Sequence, residues 1–438
     1  MNRFGHLLFI LTLIGWIPGE GQPFSGILSL QQALQMGLQN NLGLQQEQLR
    51  IQQGNSKVQM QKSAYFPKIS GSVLYNHLTD FPDVDLPFNN SAASSEPINI
   101  YDLSLKLQQP IFNGFRINNL VRSAAEEQKY SESQYQVNKN LLIYQITTTY
   151  QNAQLNELQQ QVLQASLQRV KNDLETSRHF YRAGQNSAFD TLTISNQYLN
   201  IQTDLNELIH QYQTVLTRLE SLLNFTPIQG VEKFSALSSD FQISALEIYL
   251  QQALDNRPEL RQIRHQLDSR TFYKKSVESA YWPQVNAQLT FHYLKPEVEI
   301  LRDEWTDFFM LGLNLQWDLW DTGRRKNEIR QVSYTLNILN LEEQKILENI
   351  RSEVTQTYQN LLSDRDQILL TKKLVKQENE RYRIAHEKYE QGLVSAIDLD
   401  NIQAALTTAE LRYQQSLIKW WQDKALLDYT TGQPTITE

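Results

Sequence analysis

Cysteine is absent from the 438 residues, which excludes disulfide frameworks, thiolate metal sites, cysteine nucleophiles and a cysteine-linked lipid. Proline is missing over two long reaches, 111–226 and 297–433, so neither is barred from running as helix. No apolar run approaches the roughly 18 residues that a membrane-crossing helix needs. Long basic runs are lacking and the formal net charge is −8, which argues against nucleic acid as a partner. The sequence has no GxxxxGK(S/T) phosphate loop, no HExxH and no GxSxG elbow. Its seven histidines are scattered without ligand spacing. No catalytic residue, metal or cofactor is expected, and no enzyme activity.

The first 21 residues differ from the rest. Arg3 precedes the apolar run LLFILTLIGWI at 7–17, and Gly19 and Gly21 follow it. The run is too short to span a bilayer and reads as a secretory signal over residues 1–21.

Beyond it, the chain writes one pattern twice. SAYFP at 63–67 is answered by SAYWP at 279–283, and QQAL at 31–34 by QQAL at 251–254. YRAGQNSAFD at 181–190 is answered by YEQGLVSAID at 389–398, and LLNFT at 222–226 by LLDYT at 426–430. The order is kept and each copy follows its partner by about 200 residues. Two repeats are expected, 22–225 and 245–431, with a linker at 226–244 and a tail at 432–438.

Within each repeat the period changes. After a helix, hydrophobicity alternates: Val285, Ala287, Leu289, Phe291 and Tyr293 stand against Asn286, Gln288, Thr290 and His292. Phe309, Leu311, Leu313, Leu315, Trp317 and Leu319 do the same, as do Tyr101, Leu103, Leu105 and Leu107. Period two with one apolar face predicts strands. The pairs are placed at 69–78 with 99–109, and at 285–294 with 308–319. Long helical hairpins follow over 113–225 and 322–430. Leu205, Leu208, Tyr212, Val215, Leu219 and Leu222 form a coiled-coil-like seam in the first, as do Ile329, Val332, Leu336, Leu339, Ile346 and Ile350 in the second. Gly184 and Gly392 mark the reversals. The arm before Gly184 would reach about 100 Å.

Four strands with one apolar face leave two edges and cannot close on themselves. Their length suits tilted membrane-crossing strands, and only helices and closed barrels span lipid. Closure then demands two or more chains; three would give twelve strands. Tyr65, Phe66, Phe112, Tyr281, Trp282, Trp317 and Trp320 sit at strand ends, where an aromatic girdle belongs. The competing readings are a strand set packed on its own helices, an exported coiled-coil protein without a conduit, and a stand-alone diffusion pore.

In its ordered, duplicated features the chain resembles the TolC-like outer-membrane efflux proteins over about 29–431. SAYFP and SAYWP resemble that family's helix-to-barrel junction. QPIFNGFR at 109–116 and LWDTGRR at 319–325 resemble its strand-to-helix return, and AGQNSAFD and QGLVSAID its hairpin tips. The resemblance implies an α+β membrane protein. Its homotrimer would share a 12-stranded β-barrel, continuous with a helical coiled-coil tunnel in the periplasm. It implies a periplasmic adaptor and, through it, an inner-membrane transporter as partners, with outer-membrane lipid around the barrel. Gly184, Gln185, Gly392 and Leu393 would receive the adaptor. Asp398, Asp190, Tyr389 and Asn401 would stand at the periplasmic gate, with Asn401 and Val394 replacing an acid and an arginine of the family's pattern.

Overall fold

The computed structural model describes residues 26–79, 98–234, 241–296 and 304–434. The expected signal lies outside these residues, as do residues 80–97 and 297–303 of the loops, 235–240 of the linker and 435–438 of the tail.

A two-residue strand, β1 (Ile27–Leu28), leads into α1 (Leu30–Asn40) and α2 (Leu42–Ser63). The sequence reads as one helix here, without proline. Asn41 breaks it: its side chain accepts from Leu44 N, capping α2, and donates to Leu222 O at 3.1 Å. Next come β2 (Lys68–Leu78), β3 (Ile98–Phe112), α3 (Arg116–Arg182) and α4 (Ala188–Leu223). After a short β4 (Gly230–Val231), which pairs with β1, the same order returns. It runs α5 (Leu246–Asn256), α6 (Pro258–Glu278), β5 (Gln284–Pro296), β6 (Thr306–Gln316), α7 (Arg324–Glu390) and α8 (Ala396–Thr430). The long helices α3 and α7 are each 67 residues, about 100 Å at ~1.5 Å per residue.

The last strand is shorter than its alternation suggests. It ends at Gln316, which pairs with Gln284, the first residue of β5 after Pro283. Trp317, Asp318 and Leu319 have no ladder partner left, so they lead the chain out of the sheet.

The four longer strands form an antiparallel sheet ordered β2-β3-β5-β6. The register aligns the alternation across all four. Val73 faces Leu103, which faces Tyr293; Leu105 faces Phe291, which faces Phe309; Leu289 faces Leu311. One face is therefore continuously apolar. It is also exposed: Val73 is 80% accessible, Leu311 79% and Leu313 78%. Among the described residues no helix packs along the sheet, and β2 and β6 are unpaired at their outer edges. The competing reading, strands packed on the chain's own helices, is not what forms among the described residues.

The buried residues run as stripes along the helices. One cluster joins Leu34, Ile146, Leu219 and Leu223. A second joins Leu361, Ile368, Trp420 and Leu427. A third, near the hairpin ends, joins Leu174, Ile194, Tyr389 and Leu399 and so binds one hairpin to the other. Among the described residues no helix is long and apolar enough to cross a membrane.

Candidate functional site: hairpin tips and the sheet–helix junction

The two tips are closed the same way. Gly184 and Gly392 take positive φ, 74° and 72°, the left-handed geometry that glycine adopts without steric cost. Each ends its helix in a Schellman pattern: Gln185 N donates to Phe180 O at 2.8 Å, and Leu393 N to Lys388 O at 2.9 Å. Three residues after each glycine a serine caps the next helix. Ser187 Oγ accepts from Asp190 N and Ser395 Oγ from Asp398 N, both at 3.2 Å. Each hydroxyl donates back to the aspartate's Oδ2 at 2.7 Å. Asp190 and Asp398 therefore act as helix-start acids, which the helix dipole favours.

Tyr389 is buried. Its ring meets Phe180 edge-on at 5.9 Å, and its hydroxyl accepts from Asn186 Nδ2 at 3.3 Å. Among the described residues, no hydrogen bond joins Tyr389 to Asp190 within the chain; the tyrosine ties the second hairpin to the first through Asn186. Asp398 and Asn401 are exposed, as are Gln185 and Leu393, the last at 71%. Asp400 turns inward, beside Val170, Asp173, Ile194 and Gln403, where burial raises its pKa. Phe189 and Leu192, 65% and 60% exposed, extend the apolar surface around Leu393's end of the molecule. Sequence reasoning missed them, although two large apolar residues in the first turns of an otherwise polar helix were the available signal.

Just inside the tips lies a polar layer. Asp173 Oδ2 accepts from the Tyr382 hydroxyl at 3.2 Å, and His386 Nδ1 stands 2.8 Å from Oδ1. Burial raises the Asp173 pKa against the pull of His386 and Tyr382. Arg169 grips Glu410 with two nitrogens, at 2.7 and 3.3 Å. Gln403 Nε2 donates to Ser166 Oγ at 2.8 Å in a fully buried contact. These groups link α3 to α7 and α8 and hold the hairpins in register.

At the other end, the returns from strand to helix bend through left-handed pairs, Gly114-Phe115 and Thr322-Gly323. Arg325 is buried here. It ion-pairs with Asp321 at 2.7 Å, donates to Ala280 O at 2.9 Å and covers the Tyr281 ring at 4.9 Å. Arg325→Ala removes all three contacts at once. It is expected to lower the thermal unfolding midpoint by about 5 °C, with little recovery in Arg325→Lys, which lacks the planar fork. Arg116 and Arg324 line a cavity of about 230 Å³ beside Tyr273 and Trp282.

Six of the seven expected interface aromatics are exposed: Tyr65, Phe66, Tyr281, Trp282, Trp317 and Trp320. Phe112 is half-buried, edge-on to Phe115 and Trp282, and Phe115 takes the exposed position instead. A second aromatic group, which the sequence reading did not pick out, stands at the far end of the sheet. Trp305 stacks on Tyr293 at 4.7 Å and approaches Tyr101 at 6.2 Å, and Tyr101 meets Tyr75 at 5.0 Å.

The family described as outer membrane efflux protein matches residues 33–224 and 249–433. Among solved structures, the chain is similar in fold to the outer membrane protein VceC of Vibrio cholerae. The TM-score is 0.79 at 14% identity, covering 92% of this chain and 96% of that one. It is similar to the Campylobacter jejuni CmeC outer membrane channel, with TM-score 0.78 at 15% identity over 99% and 94% of the two chains. For the Neisseria gonorrhoeae MtrE outer membrane channel, in its open state, the values are 0.75, 14%, 92% and 89%. No curated protein matches the chain.

Proposed function

The chain belongs to the outer membrane efflux protein family, and we propose that it is the passive outer-membrane duct of a tripartite export system. Three copies would close their four-stranded sheets into a 12-stranded barrel in the outer membrane. Their helices would continue as a tunnel through the periplasm toward an adaptor and an inner-membrane transporter, which supplies the energy. The recurrence of one element order on either side of the linker fits a duplicated unit that enters the barrel twice.

One observation carries this reading: a sheet with an exposed apolar face and two unpaired edges, hung from helices of about 100 Å. In water such a sheet would aggregate; in lipid, closed with its copies, it is satisfied. The two aromatic groups support it. From Trp282 to Tyr293 the chain covers roughly 36 Å at ~3.3 Å per residue. A tilt of ~40° leaves about 28 Å, close to the height of a barrel's apolar band. A stand-alone pore has no use for the helical reach.

The exposed turns at Gly184-Gln185 and Gly392-Leu393 are the proposed adaptor contacts, and Asp398 and Asn401 the proposed narrowing. With Asn401 uncharged and Tyr389 held by Asn186, the closed state lacks restraint from those residues. The purified chain is expected to run as a trimer in detergent and to conduct ions in planar bilayers, with high open probability in the absence of adaptor. A protein that stays monodisperse without detergent would end the duct reading in favour of an exported coiled-coil protein. A trimer that conducts only rarely would end the weak-gate reading alone.

A further inference from the structure

Below the barrel, α6 carries the chain up into β5 and α3 carries it down from β3. The two helices run antiparallel and touch closely. Ser123 Oγ and Ser269 Oγ are 3.1 Å apart in a buried contact, and further along Gln262 Nε2 donates to Gln134 Oε1. Between these two pins three metal-binding side chains converge: Glu126 from α3, and His265 and Asp268 from α6. One ligand atom from each lies within 4.8 Å of the others. His265 Nδ1 is already 2.8 Å from Glu126 Oε2, and their side chains are 28% and 14% exposed. Sequence spacing hides the set, because Glu126 and His265 are 139 residues apart.

We infer that Glu126, His265 and Asp268 form a binding site for a divalent transition-metal ion that staples α6 to α3 beneath the β3–β5 strand pair. The donors are one imidazole and two carboxylates; the imidazole is the donor that favours zinc and its neighbours over calcium or magnesium. Three protein ligands leave a fourth position for water. His265 and Asp268 stand one helical turn apart on the same face of α6, so both reach one ion without unwinding the helix. Bringing the donors to bonding distance, about 2.0–2.2 Å from a common centre, takes side-chain movement. The pinned helices need not move.

Lys129 competes for the same place. Its Nζ is 2.8 Å from Glu126 Oε1, and its side chain is half exposed. The ammonium neutralises the carboxylate when no ion is bound and can swing into solvent when one is. This contact sets the site's affinity and supplies a test that simple loss of structure cannot imitate.

The experiment is zinc titration by calorimetry of the purified full-length chain after chelator treatment. One zinc ion per chain is expected to bind. His265→Ala should weaken binding about tenfold or more, whereas Lys129→Met should tighten it several-fold. His210→Ala, on α4, should change nothing. Equal zinc affinity in wild type and His265→Ala overturns the inference, as does absence of binding in both wild type and Lys129→Met. The result is independent of the duct reading, since it is read without membrane, adaptor or conductance.

Discussion

Gly114→Val is expected to destabilise the chain by about 4 kcal/mol. Two costs add at this position. Gly114 has φ 60°, where a side chain costs about 1–2 kcal/mol and a β-branched one is a true outlier. A Cβ there would also stand 2.8 Å from Ser279 O and 2.8 Å from Trp282 Cβ. The first of these is backbone and cannot rotate away, so overpacking adds about 1–3 kcal/mol. Gly184 separates the two effects. It has φ 74° but nothing within 4 Å of an added Cβ, so Gly184→Ala should cost only the conformational share, about 1 kcal/mol. Thermal unfolding of both variants reads the difference. If the two glycines prove equally tolerant, the close approach between the first strand-to-helix return and SAYWP does not govern folding.

That approach explains why the two motifs occur together. NGF turns the chain out of β3 while SAYWP turns it into β5, and these strands are neighbours. Gly114 lets the two turns touch, and Phe112 packs edge-on against Trp282 across the contact. In the second return, Arg325 holds Ala280 and Tyr281 in the corresponding way, by charge and hydrogen bond. The junction between sheet and helices is thus built from motifs of both halves of the chain.

What was legible from the sequence was whatever rests on periodicity. The apolar face of 285–293 is visible because each residue's side follows from its parity, and the register preserves it across four strands. The tips are visible because glycine, serine and aspartate recur at fixed spacing and each performs a local task. What was not legible depends on partners distant in sequence. Alternation continues through Trp317 and Leu319, yet the strand stops because β5 begins at Gln284. Asn41 breaks a helix because Leu222 O is there to accept from it. Tyr389 is a core residue joined to Asn186, and Arg325 is buried against Ala280 and Tyr281. Asp364 and Asp423 belong to this second class: nothing in their local sequence sets them apart from solvated helix acids.

Asp364→Asn is expected to stabilise the chain at pH 8 by about 2 kcal/mol while leaving it almost unchanged at pH 4. Asp423 on α8 is buried at 4% exposure, with Lys419 Nζ 2.6 Å from its Oδ1. Asp364 on α7 is partly buried against it, and each carboxyl keeps a buried Oδ2 without a hydrogen-bond partner. Burial pushes the Asp364 carboxyl up to about 7, and the nearby Asp423 carboxyl pushes the same way; Lys419 opposes them. From α3, Tyr144 faces the pair, its own pKa raised by burial and by Asp423. Because the folded pKa of Asp364 lies above the unfolded value of about 3.9, its protonated form contributes its full stability below that value. The contribution falls as pH rises from about 4 and is lost once pH passes about 7. The displacement caps the effect at about 4 kcal/mol; solvent screening at partly buried Asp364 reduces it to about 2 kcal/mol. Asparagine keeps a donor toward Asp423 without a proton to lose, so the variant's advantage should grow between pH 4 and 7 and level off above about pH 8. Urea unfolding of wild type and variant across this range measures it. A stability difference that stays flat with pH would mean that Asp364 is ionised in the folded chain and that Lys419 holds both carboxylates.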